Sequence, residues 1–192
     1  MIKQLTEAIA WAKRLEDERG AAFIELALCL PIMFVLVFGL IDFSMIIFDN
    51  QMLSGISRQG SDLAARDAFG SENLQPIVSA LETQGSSLNI GTKGWIIVTE
   101  VADATDSTGN LISNDPIIVD QAESQTGIAE TSATAAWVSN PAKYLPANAA
   151  TVLNAGQRLY VTEVFYSYSP MTPVGGFLKT SLASTLYDVA YF

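Results

Sequence analysis

Hydrophobic positions divide this chain into three patterns: an unbroken apolar run, a stripe at helical spacing, and a set of alternating segments. From Leu26 to Ile41 it reads LALCLPIMFVLVFGLI, sixteen residues without a charge. Extended to Ala21 and Phe48, the run covers twenty-eight residues interrupted only by Glu25, Asp42 and Ser44. A helix that crosses a bilayer needs about 20 mainly apolar residues, and at roughly 1.5 Å per residue this stretch reaches about 42 Å. The pattern predicts a transmembrane helix over 21–48. A buried core helix is the alternative, but the rest of a 192-residue chain is too short to wrap it on every side. Pro31 removes one backbone donor and predicts a kink, which membrane helices tolerate. Cys29 reads as a buried small hydrophobe, and Asp42 as a carboxylate snorkelling to the far interface.

Past the run comes DNQMLSGISRQGSDLAARDAF, and from Phe48 on, Phe48, Met52, Ile56, Gly60 and Leu63 fall within about one third of a helical circumference. It predicts an amphipathic stalk over 49–70, with its stripe resting on the protein's own sheet, closed by Phe69-Gly70-Ser71. A second short helix is expected from Asn73 to Leu81. From Trp95 the period changes to that of strands separated by Gly, Ser, Asn and Asp. WIIVTEV (95–101) leads into the polar turn DATDSTGN, and Pro116–Val119 forms a short strand whose proline marks an edge. LYVTEVFYSYS (159–169) is the clearest strand, with Tyr160, Val164, Tyr166 and Tyr168 on one face and Leu159, Val161 and Phe165 on the other. LYDVAYF (186–192) is the last, and residues 121–158 read as an irregular insertion. The fold class is α+β: a long N-terminal transmembrane helix with an amphipathic extension, packed on a small antiparallel sheet in an exported β-rich domain over 71–192.

Charge orients this arrangement. Four basic and four acidic residues in positions 1–20 cancel, so the net charge of −10 falls on residues 21–192. Lys3, Lys13, Arg14 and Arg19 precede the run, whereas Arg58 and Arg66 are the nearest basic residues after it. The positive-inside rule therefore keeps residues 1–20 cytoplasmic and sends the domain beyond Phe48 outward. Such acidity disfavours nucleic acid, whose phosphates reward clustered Lys and Arg. The chain contains no His and one Cys. The commonest general base is absent, as are the means for a disulfide or a cysteine-based zinc site. Neither a nucleophile–base pair nor a metal cluster can be assembled, and we expect no catalytic residue, metal or cofactor. Asp103, Asp106, Gly109 and Asn110 miss the spacing of a calcium loop and read as a solvated turn. Tyr166, Tyr168, Tyr187 and Tyr191 read as cross-strand pairs before they read as a binding platform.

One carboxylate, Glu25, stands inside the apolar run five residues after Gly20, where polar residues give way to apolar ones. An acidic residue within a membrane helix is unfavourable unless it is partnered. The junction RG/AAFIE resembles the processing site of type IV pilin precursors. That resemblance implies cleavage between Gly20 and Ala21 by a prepilin peptidase, with residues 1–20 as a prepilin-type leader. It also implies that Glu25 acts in assembly by meeting the N-terminal amine of a neighbouring subunit.

The longer stretch RGAAFIELALCLPIMFVLVFGLIDF is similar to the N-terminal signature of the TadE-like family. These are minor, pilin-like components of the tight-adherence (Flp) pilus. Gly20, Ala22, Glu25, Leu28, Pro31 and the Gly39-to-Asp42-Phe43 end carry the likeness, and VTEVFYSYSPMTPV (161–174) resembles the family's later domain. Leu26, where major Flp pilins usually carry Tyr, and a length of 172 residues after Gly20 point away from the major subunit. TadE and TadF are both compatible with the sequence. The resemblance implies a non-enzymatic minor pilin or pseudopilin in the bacterial inner membrane, used in pilus initiation or at the tip, and supporting surface adhesion and biofilm formation. Its implied partners are the prepilin peptidase, other major and minor pilin subunits, and the inner-membrane assembly platform. Two rival readings are a type II secretion pseudopilin and an uncleaved, single-pass anchored periplasmic binding module.

Overall fold

The computed structural model describes residues 2–67, 73–105, 111–139, 157–178 and 184–192, with side chains from Gly20 onward except at 67, 104–105, 111–115, 137, 139 and 177–178. One helix, α1, runs without interruption from Ile2 to Asp67 and contains Pro31. The residues expected as leader, membrane span and stalk are thus segments of one helical element. After it come α2 (Gln75–Gln84), a 3-10 turn (Gly85–Leu88) and α3 (Ile90–Lys93). Strands β1 (Gly94–Thr105) and β2 (Leu111–Glu123) come next, then α4 (Ala133–Ser139), β3 (Arg158–Ser167), α5 (Pro173–Leu178) and β4 (Thr185–Tyr191).

The four strands form one antiparallel sheet in the order β2-β1-β3-β4. β2 is an edge, as Pro116 foretold, and Pro116 pairs with Asp103 where the β1–β2 register shifts. Two compact units divide the chain. One contains Met1–Ser44 with Pro170–Thr180, the other Met45–Ser169 with Ser181–Phe192.

In the second unit both sheet faces are covered, so β3 is buried at nearly every position. Its alternation is as read from the sequence. Tyr160, Val164, Tyr166 and Tyr168 pack with Ile96 and Val98 against Leu53, Ile56 and Ala64 of α1 and Ile77, Val78 and Leu81 of α2. On the opposite face Leu159 and Val161 join Val101, while Phe165 joins Trp95 and Ile97.

Two expectations are corrected by the fold. The buried seam of α1 is Leu53, Ile56, Ser57, Gly60, Ser61 and Ala64. Ile56 and Gly60 were expected on it, whereas Phe48 is exposed and the polar Asp49 takes the inward place beside it. The reason is complementarity: at Gly60 a β-carbon would sit 2.6 Å from Thr162 Cγ2 and 2.8 Å from Leu81 Cδ1, so small residues let helix and sheet approach. Secondly, residues 121–158 are not wholly irregular, because β2 continues to Glu123 and α4 is a helix. The four tyrosines follow the cross-strand reading rather than forming a platform: Tyr166 opposes Leu186, Tyr187 opposes Phe165 and Tyr191 opposes Val161. Tyr166 and Tyr168 are buried on the helix-covered face, while Tyr187 and Tyr191 are exposed on β4. The Tyr187 ring lies 4.8 Å from that of Phe165, its cross-strand partner, tilted by 42°. The closing Phe69-Gly70-Ser71 and most of the polar turn after β1 lie outside the described residues.

Candidate functional site

The site expected from the sequence occupies the N-terminal half of α1. Gly20, Ala21 and Glu25 are all exposed, and a β-carbon built on Gly20 would meet nothing within 4 Å. Ala21 and Glu25 are one helical turn apart and share a face. Glu25 has no hydrogen-bond or ion-pair partner among the described residues. The apolar side chains around it are just as bare: Phe23 is 73% exposed and Leu28 67%. Cys29, expected to be buried, is a free, exposed thiol.

A helix that is apolar on all sides has no solvent-facing stripe and is stable only when something else covers it. Within Gly20–Arg66 the most apolar window is not buried by the protein at all, and it is the one helix among the described residues long and apolar enough to cross a membrane. It fits a single-pass membrane anchor. Local side-chain stacking adds little to that picture; Phe34 and Phe38 lie 5.8 Å apart, one turn from each other.

Asp42 departs from the reading of a snorkelling carboxylate. It is 2% exposed and faces the protein. Its Oδ1 accepts the backbone N–H of Met171 at 3.0 Å and of Thr172 at 3.1 Å, and its Oδ2 accepts the Thr172 hydroxyl. Thr172 Oγ1 in turn accepts the N–H of Gly175 at 3.3 Å, so Thr172 caps α5 while giving its own proton to Asp42. Only glycine fits at position 175, where a side chain would collide with the Asp42 carboxylate.

The same device recurs in the second unit at Glu163, which is fully buried in β3. Ser132 caps α4 by accepting the Ala135 N–H at 3.2 Å, and donates its hydroxyl to Glu163 Oε2. Glu163 also accepts the N–H groups of Ala133 at 2.8 Å and Thr134 at 3.3 Å, and the Tyr187 hydroxyl at 3.0 Å. Four donors on one carboxylate make this a structural cap that holds α4 to the sheet. The carboxylates of Asp42 and Glu163 thus have partners supplied by distant chain, whereas that of Glu25 has none among the described residues. Sequence reasoning missed both of these roles; their only trace is a Ser or Thr just ahead of a short helical segment. Asp103, a candidate for a calcium loop by residue type, lies buried in β1, and the other members of that group are outside the described residues.

No curated protein and no solved structure matches the chain. A family model does, and its match begins at Gly20. Residues 20–62, which include the apolar run, Glu25, Asp42 and most of the buried seam of α1, match the TadE-like protein family, so that α1 carries the signature of a TadE-like protein.

Proposed function

We propose that the protein is a minor pilin of a Tad/Flp pilus, inserted by α1 in the bacterial inner membrane, processed between Gly20 and Ala21, and assembled with other pilin subunits through Glu25. The family of residues 20–62 points to a pilin-like protein associated with the Tad pilus. The finer reading rests on one observation: among the described residues Glu25 has no partner, and it stands on a bare apolar helix one turn from the residue that would become the N-terminus. Cleavage after Gly20 would place a positive amine on Ala21. A buried charge pair is favourable only when geometry offsets the desolvation of both ions. An amine and a carboxylate on adjacent subunits can meet that condition in a filament, where each would otherwise face lipid alone.

The role is structural rather than catalytic. A domain as broad as the sheet with its helices suits pilus initiation or a tip position better than dense repetition along a thin filament, and adhesion and biofilm formation would follow from the pilus. The prepilin peptidase and the inner-membrane assembly platform are the partners this reading requires, with residues 1–20 cytoplasmic and the sheet domain outside.

The test is the N-terminus and intact mass of the membrane-extracted protein, made with and without its native prepilin peptidase. A start at Ala21 that depends on the peptidase and on Gly20 supports the reading. Retention of residues 1–20 in both cells overturns it in favour of an uncleaved anchored module.

A further inference from the structure

The depth of Asp42 along α1 has a bearing on the segment that binds it. Exposed apolar side chains continue past this residue, with Phe43 58%, Ile47 44% and Phe48 55% exposed. Phe48 is about 9 Å further along the helix axis than Asp42 at ~1.5 Å per residue. A carboxylate is therefore enclosed below the upper limit of the apolar surface, and the groups that enclose it are the backbone of Met171 and Thr172.

We propose that residues 170–178 form a second membrane contact, lying in the interfacial layer of the bilayer beside α1 with Met171 directed into lipid, and that Asp42 is the residue that positions them there. The segment reads PMTPVGGFL and no residue from Val164 to Leu178 is charged. Met171 is 75% exposed, although it is anchored by its own N–H to a buried group. Pro170 and Pro173 have no backbone donor to satisfy. Non-helical backbone is tolerated at membrane depth only when its polar groups find partners within the protein. Asp42 supplies them for Met171 and Thr172, Thr172 supplies one for Gly175, and the Thr172 hydroxyl together with both N–H groups removes the penalty of the carboxylate itself. Asp42 and Thr172 satisfy each other's polar groups, and Met171 remains outward. Lipid, already required by the bare face of α1, is the occupant continuous with it.

The inference rests on reading α1 as a membrane span, and the experiment separates the two. The full chain, with Cys29→Ser, is reconstituted in phosphatidylcholine vesicles with a fluorescent label on a single introduced cysteine: Phe34→Cys in the span, Met171→Cys, or Thr83→Cys on the exposed side of α2. Quenching by doxyl-labelled lipid is compared with quenching by aqueous iodide. The expected result is lipid quenching at positions 34 and 171, strongest at 171 for shallow doxyl groups, and iodide quenching at 83. Lipid quenching at 34 with iodide quenching at 171 overturns the present proposal and leaves the span intact. Iodide quenching at 34 overturns both. Protection of position 171 from both quenchers would place protein there and also overturns it. Asp42→Asn, which replaces an acceptor of the Thr172 hydroxyl by a donor, should lose lipid quenching at 171 while position 34 is unchanged. Since the label beside an intact Asp42 decides the matter, a poorly folded variant leaves the proposal open to refutation.

Discussion

The hydroxyl of Tyr187 on β4 donates to Oε1 of Glu163 on β3 at 3.0 Å, on the sheet face away from α1 and α2. The bond joins an exposed aromatic side chain to a fully buried carboxylate and ties the edge strand to the cap of α4.

That bond has a pH consequence. Burial, and then the negative charge of Glu163, push the Tyr187 phenol well above its ordinary range, which lies near 10. The native state therefore holds this proton more tightly than the unfolded chain. The resulting stabilisation is complete below about pH 10 and is lost as pH rises above it, once the unfolded phenol ionises. Tyr187→Phe has no proton to lose. It should be about 1 kcal/mol less stable at pH 7 and should show a shallower fall in stability above about pH 10. Tyr160, Tyr166 and Tyr191 are raised by burial as well, so part of the fall remains. Thermal melts of the detergent-solubilised protein from neutral to strongly alkaline pH measure this.

Removing Glu163 itself should be severe. Glu163→Ala strands Ser132, Ala133, Thr134 and Tyr187 donors around a cavity, and should destabilise by about 3 kcal/mol or more. Glu163→Gln keeps one acceptor oxygen, and the Ser132 hydroxyl can rotate to accept from the new amide, so the loss should be smaller. Hydrogen exchange should show α4 unprotected in the alanine variant while β1 and β3 remain protected; equal protection of α4 in both variants would contradict its dependence on Glu163.

Two glycines of α1 should respond with opposite sign. Gly60→Ala gains about 1 kcal/mol of helix propensity, but its methyl would press on Thr162 and Leu81, and such overpacking costs about 1–3 kcal/mol. We expect a net loss. At Gly55 an added β-carbon meets nothing within 4 Å, so Gly55→Ala should stabilise by about 0.5–1 kcal/mol. Paired chemical denaturation curves decide both.

Glu25→Ala should leave insertion of α1 intact, because the change removes a charge from an apolar helix. Incorporation into filaments should be lost. The check is the distribution of the variant between membrane and sheared-pilus fractions; normal incorporation would remove Glu25 from assembly.

The elements legible in the sequence are those whose signal is local. The apolar run around Pro31 announces its helix because each residue contributes independently to the free energy of transfer into lipid. The strand at 159–169 shows its two faces because strand geometry fixes which neighbours point together, and Tyr160, Val164 and Phe165 fall as alternation requires. The border at Gly20 and the carboxylate at Glu25 are likewise readable, since both are defined by the residues next to them.

What the tertiary structure alone decided is which partner each buried polar group takes. Asp42 and Thr172 meet though they are 130 positions apart in the chain, Ser57 and Asp188 though 131 apart, and Glu163 and Ser132 though 31 apart. Nothing near Asp42 in the chain distinguishes a snorkelling carboxylate from one that receives two peptide N–H groups. Likewise the inward turn of Asp49 and the outward turn of Phe48 come from where Gly60 lets α1 approach Thr162, not from the stripe itself. Hydrophobic burial is additive and periodic, so it is written along the chain. Hydrogen-bond satisfaction is a pairwise condition on groups brought together by folding, and it exists only once the chain has closed on itself.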